Sequence, residues 1–322
     1  MCIRDSVYTN GWANLPIGKV RYGLMLREDG LVMDDGTTAR LGETHFVMTT
    51  TTANAARVMQ HLEFCAQVIW KELDVSLISV TDQWGQIALA GPKSAATLEK
   101  IVDAPYDLSD QAFPYMACME LTVCGGVPAR LFRISFSGER AYELAVPSRQ
   151  ADALARALMQ AGEEFGIAPY GTEALGIMRI EKGHPAGPEL NGQTSAHDLG
   201  MGKLLSKKKE FIGRAMAARP ALTDPSRQTL VGLRPVNPLD IIRAGSHLLP
   251  VGAPAVAASD QGHVTSAARS PTLGSIALAL LENGPARHGE TIRVYDPLRG
   301  GDFTAIVTPP VHYDPEGLRL HA

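Results

Sequence analysis

The C-terminal part of the chain, from Gln228 onward, is a series of short apolar segments with glycine or proline between them. The segments are as short as strands, and none has the period of a helix. They occupy residues 229–233, 262–267, 275–281, 291–295 and 303–307. Several short strands separated by turn residues fold into a sandwich or a barrel. The sequence therefore predicts an all-β domain, a barrel or jelly roll, over residues 228–322, preceded by a linker over residues 221–227.

Residues 7–220 combine strand and helix periods. A hairpin is predicted where the strands 21–26 and 31–35 flank a turn that ends in Gly30. Helices are predicted at residues 52–70, 94–102, 148–164, 172–182 and 209–217. Further strands are predicted at 45–51, 120–124 and 127–135, and two more over 75–90 with a break near Gln83. No βαβ rhythm repeats, which favours an α+β fold that mixes sheets and helices. Residues 1–6 lead into this region without a turn or a cap, and we expect them to be a non-native leader.

Composition and motifs argue against several classes of protein. The 322 residues carry a net charge of −4 with both signs dispersed, so nucleic acid is not an expected partner. The longest apolar run, residues 276–281, is too short to cross a bilayer, and we expect a soluble, cytoplasmic protein. The four cysteines and nine histidines lack the spacing of a zinc site, so no metal is predicted. No glycine-rich nucleotide loop and no nucleophile elbow occurs.

Glu143 is the first candidate for binding. It lies in the stretch 133–147, which is predicted to form two strand pieces joined at Ser137-Gly138. On its own face of the strand Glu143 has only Ala141 and Ala145 beside it, because Tyr142 and Leu144 point to the other face. A carboxylate between two small residues leaves room for a ligand. The alternative is a surface glutamate on an edge strand.

Two adjacent carboxylates, Asp34 and Asp35, end the second strand of the predicted hairpin. Neighbouring strand residues point to opposite faces, so only one of the two can face a given pocket. A partly desolvated carboxylate there would stabilise a developing positive charge or take a proton. The alternative is a solvated strand end. On the predicted helix 172–182, Arg179 and Lys182 suit an anionic ligand tail or, alternatively, a snorkelling stripe at a helix edge.

Six motifs occur in order along the chain. They are Tyr22 and Met25 before a hairpin with Asp34-Asp35 after it, Ala90 to Ser94, Arg133 to Glu143, Met178 to Gly183, Lys209 to Arg214, and Val264 to Gly274. Together they resemble the folate-dependent aminomethyltransferase family, typified by the T-protein of the glycine cleavage system. The resemblance extends from Val7 to the C-terminus. Within the family, further segments such as 48–55 and 169–175 are most similar to the folate-binding region of the alpha subunits of heterotetrameric sarcosine oxidases.

The resemblance implies a role for each candidate residue. Asp34 matches the catalytic aspartate of the family, near the folate nitrogens. Glu143 matches the carboxylate that reads the pterin ring, and Tyr22 matches a ring that packs against the folate. Arg179 matches the arginine that meets the anionic aminobenzoyl-glutamate end. Thr51 stands where the T-protein has an asparagine near the pterin.

The resemblance also implies an activity. Sarcosine would be oxidised at a flavin elsewhere in a complex, and tetrahydrofolate bound to this chain would capture the one-carbon unit as 5,10-methylenetetrahydrofolate. The expected partners are the beta, gamma and delta subunits, with FAD, FMN and NAD in the intact complex and not in this chain. The segment that precedes Val7 in relatives is absent, so the first domain is expected to be incomplete. The alternatives are a stand-alone aminomethyltransferase of the glycine cleavage type and a folate-binding module without catalysis.

Overall fold

The computed structural model describes residues 6–321, so the predicted leader lies almost entirely outside the described residues. Two antiparallel sheets precede a closed six-stranded barrel. This arrangement confirms the α+β fold class and, of the two possibilities for the C-terminal region, the barrel. Within the described residues no helix is long and apolar enough to cross a bilayer, and no group of three or more His, Cys, Asp or Glu side chains is arranged to hold a metal ion.

The first sheet contains the predicted hairpin. Its order is β1-β2-β3, with β1 at Lys19–Leu26, β2 at Val32–Arg40 and β3 at Phe46–Met48. Gly30 takes a φ of +87° in the turn between β1 and β2, a conformation that glycine adopts without a steric penalty. The first helix, α1 at Ala55–Phe64, continues as one π-helical turn over Cys65–Ile69. Helix α1 covers one face of this sheet, where Val58 and Leu62 pack in the same apolar cluster as Met25.

The second sheet has the order β4-β7-β6-β5. Its strands are β4 at Trp84–Ala90, β5 at Cys118–Val123, β6 at Val127–Phe132 and β7 at Ala141–Pro147. Helices α2 at Ser94–Glu99 and α3 at Ala151–Ala161 cover the face that carries Tyr142 and Leu144, as the alternation in β7 predicts. The opposite face, which carries Glu143 and Ala145, is left for the first sheet.

The two sheets meet through small and apolar side chains. Val20 of β1 and Ala39 of β2 are cross-strand partners, so they share a face of the first sheet. They lie in one apolar cluster with Phe132 of β6 and Ala145 of β7. The uncovered face of the second sheet therefore packs against the face of the first sheet that α1 does not cover.

The barrel is closed in the order β10-β11-β8-β13-β12-β9. Its strands are β8 at Gln228–Pro235, β9 at His247–Leu249, β10 at Gly262–Ser270, β11 at Gly274–Glu282, β12 at Thr291–Asp296 and β13 at Gly301–Thr308. Helix α4 at Thr172–Glu181 packs on β10 and β11, where Ile180 shares a cluster with Ile276 and Leu278. The remaining helices are short: α5 at Arg214–Ala217, α6 at Pro220–Thr223 and α7 at Leu318–His321.

Three local predictions differ from the structure, and one strand was missed. Residues 75–80 alternate in exposure but form no strand, because no other strand pairs with them. Residues 133–140 form a loop rather than a strand, since Gly138 donates its N–H to the Ser135 side chain and takes a φ of +85°. The helix predicted over 209–217 is confined to α5. The short strand β9 was not predicted.

Gly36 permits a close approach between β2 and the segment that follows β3. A Cβ atom at Gly36 would lie 2.0 Å from the backbone oxygen of Thr49. Gly36→Ala should therefore lower the free energy of unfolding by about 1–3 kcal/mol, the usual cost of overpacking. Gly176→Ala in α4 is the matched control, because a Cβ there meets no atom within 4 Å, and it should raise stability by about 0.5–1 kcal/mol. Urea unfolding midpoints measure both, and equal midpoints for Gly36→Ala and the wild type would contradict the close approach.

Candidate functional site

The carboxylates of Asp34 and Asp35 point to opposite faces of the first sheet. Asp34 is paired with Met25 across β1 and β2, and Asp35 is paired with Leu24. Met25 belongs to the cluster under α1, whereas Leu24 belongs to a cluster that includes Tyr22 on the other face. The prediction that only one carboxylate can face a given pocket is confirmed by this register.

Asp34 is completely buried on the α1 side. Its Oδ2 accepts the backbone N–H of Thr51 at 3.1 Å, and its Oδ1 accepts the side-chain amide of Asn54 at 3.0 Å. These two bonds fix the segment between β3 and α1 against β2. The geometry gives Asp34 a position in which it organises this segment and has no surface of its own to offer a ligand.

Asp35 is half-buried and lies beside Tyr22 and Thr51. The Tyr22 hydroxyl donates to Asp35 Oδ2 at 2.8 Å, and the Thr51 hydroxyl donates to Oδ1 at 3.4 Å. Burial raises the pKa of Asp35 above its ordinary value, and the negative charge of Asp34 adds to this shift. Burial and the Asp35 charge together raise the pKa of Tyr22, so its hydroxyl stays a donor. The geometry therefore favours Asp35, rather than the predicted Asp34, as the carboxylate available to a ligand.

Glu143 lies at the middle of β7 on the face that meets the first sheet. Its cross-strand neighbours are Ala88 on β4 and Phe132 on β6. The Gln86 side-chain amide donates a hydrogen bond to Glu143 Oε2. Burial raises the pKa of Glu143 from its ordinary value of 4.5 to about 7. Burial, and after it the Glu143 charge, raises the pKa of Tyr170. Glu143 is thus a partly desolvated carboxylate above small residues, as the sequence predicts.

Two of the five predicted residues, Tyr22 and Thr51, come together at Asp35, and a third, Glu143, lies on the face of the other sheet. Tyr22 lies two residues after Val20 on β1, and Asp35 lies four residues before Ala39 on β2. Val20 and Ala39 are cross-strand partners, so all four side chains share one face of the first sheet. That face packs on the second-sheet face that carries Glu143. The candidate site therefore lies between the two sheets, with Tyr22, Asp35 and Thr51 on one side and Glu143 on the other.

Arg179 has a different environment. Its guanidinium donates to Glu189 Oε2 at 3.0 Å and to the Ser266 hydroxyl at 2.6 Å. Glu189 is completely buried, and its other oxygen accepts the hydroxyls of Thr265 and Ser266. A bulge between Val264 and Ser266 in β10 turns both hydroxyls toward Glu189. The structure places Arg179 in this buried cluster, where it joins α4 to the barrel, and its predicted contact with an anionic ligand stays a prediction.

Sequence reasoning did not identify three residues that organise the site. Asn54 and Gln86 hydrogen-bond to the candidate carboxylates, and Glu189 neutralises Arg179. Gln86 lies two residues before Ala88, so the strand period was a signal that it shares the face of Glu143 once β4 is paired with β7. Asn54 and Glu189 gave no such signal, because they lie outside the strands and α-helices and their partners are remote in the chain.

The raised pKa of Glu143 predicts a pH dependence of stability. Between about pH 4.5 and about pH 7 the unfolded chain has lost this proton while the folded chain keeps it. The free energy of unfolding should therefore fall as the pH rises through this window, and the wild type should lose stability relative to Glu143→Gln, which cannot titrate. Urea unfolding of both proteins across the window measures the difference. Parallel curves for the two proteins would show that Glu143 titrates normally.

The chain is similar to proteins of one family along most of its length. The GCVT N-terminal domain matches residues 3–209, and the glycine cleavage T-protein C-terminal barrel domain matches residues 228–314. The sarcosine oxidase subunit alpha of Rhizobium meliloti (strain 1021) is 54% identical over 320 residues, which cover 98% of this chain and 32% of that protein. The chain thus spans about a third of the length of this relative.

Two further relatives are aminomethyltransferases. The enzyme of Streptomyces avermitilis is 33% identical over 285 residues, which cover 86% of this chain and 72% of that protein. The crystal structure of glycine cleavage system aminomethyltransferase T from Bartonella henselae superposes with a TM-score of 0.80 and 25% identity, covering 96% of this chain and 81% of that chain. The chain belongs to the glycine cleavage T-protein family, with the GCVT N-terminal domain followed by the C-terminal barrel domain of that family.

Proposed function

We propose that the chain binds tetrahydrofolate between its two sheets and, within a larger sarcosine oxidase, captures the one-carbon unit of oxidised sarcosine as 5,10-methylenetetrahydrofolate, with glycine as the leaving group. The observation that carries the proposal is the pairing of the Tyr22 and Asp35 face with the Glu143 face. The similarity to a sarcosine oxidase subunit alpha supports the assignment of the larger enzyme.

The residues between the sheets fit a reduced folate. A pterin ring presents an exocyclic amine and a ring N–H side by side, and a carboxylate accepts such a pair. Glu143 has this capacity, and the alanines around it, Ala88, Ala141 and Ala145, leave space for a flat ring. The Tyr22 ring offers an apolar surface with a polar tip to the rest of the ligand.

Tetrahydrofolate, when bound, supplies the nucleophilic nitrogens of the transfer. Asp35 would hold negative charge near the incoming cationic carbon and accept the proton that the attacking nitrogen loses. Its raised pKa keeps it a better base than a solvated aspartate. Tyr22 and Thr51 orient the Asp35 carboxylate by hydrogen bonds. Asp34 fixes Thr51 by accepting its backbone N–H on the other side of the sheet. Holding the oxidised sarcosine and the folate together avoids loss of the one-carbon unit as formaldehyde in water.

The organisation of the larger protein is part of the proposal. Residues 7–220 would form the folate-binding region and residues 228–322 the barrel, joined by the linker 221–227. Oxidation of sarcosine would occur outside this chain, with FAD, FMN and NAD and with beta, gamma and delta subunits as partners in the cytoplasm. We assign Arg179 to the junction of α4 and the barrel, since its terminal nitrogens are occupied by Glu189, Ser266 and the His184 carbonyl.

A second candidate is a stand-alone aminomethyltransferase that takes its carbon from a lipoyl-carried amine. The observation that favours it is the coverage of the Streptomyces avermitilis relative, 72% of whose length this chain matches. It uses the same site, so the donor distinguishes the two functions: turnover with an aminomethyl-lipoyl carrier would support the second, and coupling to sarcosine oxidation would support the first.

The role of Asp35 can be tested in the complete enzyme. Asp35→Asn removes a base that acts mainly in the transition state, so the yield of methylenetetrahydrofolate should fall about 10²-fold. Sarcosine oxidation should continue, and free formaldehyde should rise to replace the lost product. Quantifying both one-carbon products per sarcosine consumed measures the effect.

Asp34→Asn is the comparison, with urea unfolding as its control. This variant breaks buried hydrogen bonds, and it should lower the free energy of unfolding by about 1–3 kcal/mol. If a folded Asp34→Asn enzyme lost transfer while Asp35→Asn retained it, Asp34 would be the catalytic aspartate. Wild-type yields from both variants would favour a folate-binding module without catalysis.

A further inference from the structure

We propose that Gln86 and Glu143 together form a strip of three hydrogen-bonding groups that selects a pterin ring by its 4-oxo group. The inference rests on the proposed function, because it takes the ligand between the sheets to be a reduced folate. It assigns Gln86 as a specificity-determining residue, which the sequence resemblance does not.

The strand register makes the two side chains neighbours. Gln86 on β4 is paired with Ala145, and Glu143 on β7 is paired with Ala88, two positions along the same ladder. Both therefore lie on the same face of the second sheet as diagonal cross-strand neighbours, a spacing that long side chains bridge. The bond from Gln86 Nε2 to Glu143 Oε2 is this bridge.

The bridge leaves a defined set of unused groups. The ionised form of Glu143, which is the form that would accept a pterin's donors, only accepts hydrogen bonds. The amide nitrogen of Gln86, and not its oxygen, faces Glu143. That nitrogen has two hydrogens, of which one is used. Within residues 6–321, Gln86 is the one hydrogen-bonding partner that Glu143 has. Gln86 is exposed, and so is the adjacent Ala88, which leaves this edge of the pair open. The open edge therefore presents two acceptor oxygens followed by one N–H donor.

A pterin matches this order. Its pyrimidinone edge carries, in succession, the exocyclic amine as a donor, the ring N–H as a donor and the 4-oxo group as an acceptor. The two carboxylate oxygens suit the donors, and the second amide hydrogen of Gln86 suits the 4-oxo group. A ring with an amino group at position 4 would set a donor against the Gln86 donor. Sites of this kind discriminate because the wrong ligand covers polar groups and leaves them unpaired.

Calorimetric titration of the complete enzyme with two ligands tests the inference. The ligands are tetrahydrofolate and its 4-amino analogue. The readout is the dissociation constant of the analogue divided by that of tetrahydrofolate. The wild type should prefer tetrahydrofolate. In Gln86→Ala the ratio should fall about 3- to 10-fold, the worth of one hydrogen bond, because tetrahydrofolate binds more weakly. Gln86→Met, which keeps the side-chain length without the amide, should behave like Gln86→Ala, whereas Gln160→Ala, an exposed glutamine on α3, should leave the ratio unchanged.

The outcomes separate this inference from the proposed function. If the wild type and both Gln86 variants bind tetrahydrofolate and give the same ratio of dissociation constants, Gln86 does not read the 4-oxo group. This inference is then overturned, while folate binding stands. If the wild type binds neither ligand, the proposed function fails and the inference fails with it. A ratio that falls in Gln86→Ala and Gln86→Met, but not in Gln160→Ala, supports the strip.

Discussion

The packing of one sheet face against another is the constraint on which the site depends. Strand residues alternate between faces, so the contact of Val20 and Ala39 with Ala145 also determines where Tyr22, Asp35 and Glu143 point. A shift of one residue in either register would move every one of these side chains to the opposite face. The apolar contacts thus decide which polar side chains line the site between the two sheets, although the apolar side chains take no part in the chemistry.

Burial tunes the groups that this packing brings together. Glu143 and Asp35 both have raised pKa values, and in both the main cause is loss of solvent. Among residues 6–321 neither is paired with a cation, in contrast to Glu189, whose charge is matched by Arg179 and two hydroxyl donors. Glu189, whose charge is matched, joins α4 to the barrel. Glu143 and Asp35, whose charges are not matched, face the site between the two sheets, where a ligand with N–H groups or positive charge would be favoured.

Much of the fold and part of the site could be predicted from the sequence. The hairpin around Gly30, the helix at α4 and the barrel strands follow from local period and turn residues, and the isolation of Glu143 from Tyr142 follows from alternation. The choice between Asp34 and Asp35 does not. Alternation separates the two carboxylates, but only the position of α1 decides which of them is covered.

Long-range pairing explains the remaining omissions. Gln86 meets Glu143 because β4 is placed beside β7, which is 57 residues away in the chain at this contact. Glu189 meets Ser266 because a bulge in the barrel turns that hydroxyl toward α4. The strand period places Gln86 on one face of β4, but neither the pairing of β4 with β7 nor the bulge in β10 leaves a mark in local sequence. The resemblance to a family supplied Tyr22 and the pterin-reading role of Glu143, and it matched Asp34 to the catalytic aspartate. The register of β2 and the position of α1 show that Asp34 is the covered carboxylate of the pair.

The most direct test of a folate site between the two sheets is a crystal structure of the complete enzyme with 5-formyltetrahydrofolate. The account predicts that the pterin ring lies within hydrogen-bonding distance of Glu143 and that the ligand contacts Tyr22 from the opposite sheet. A ligand bound on the α1 side beside Asp34, or beside Arg179 at the barrel without contact to Glu143, would contradict it.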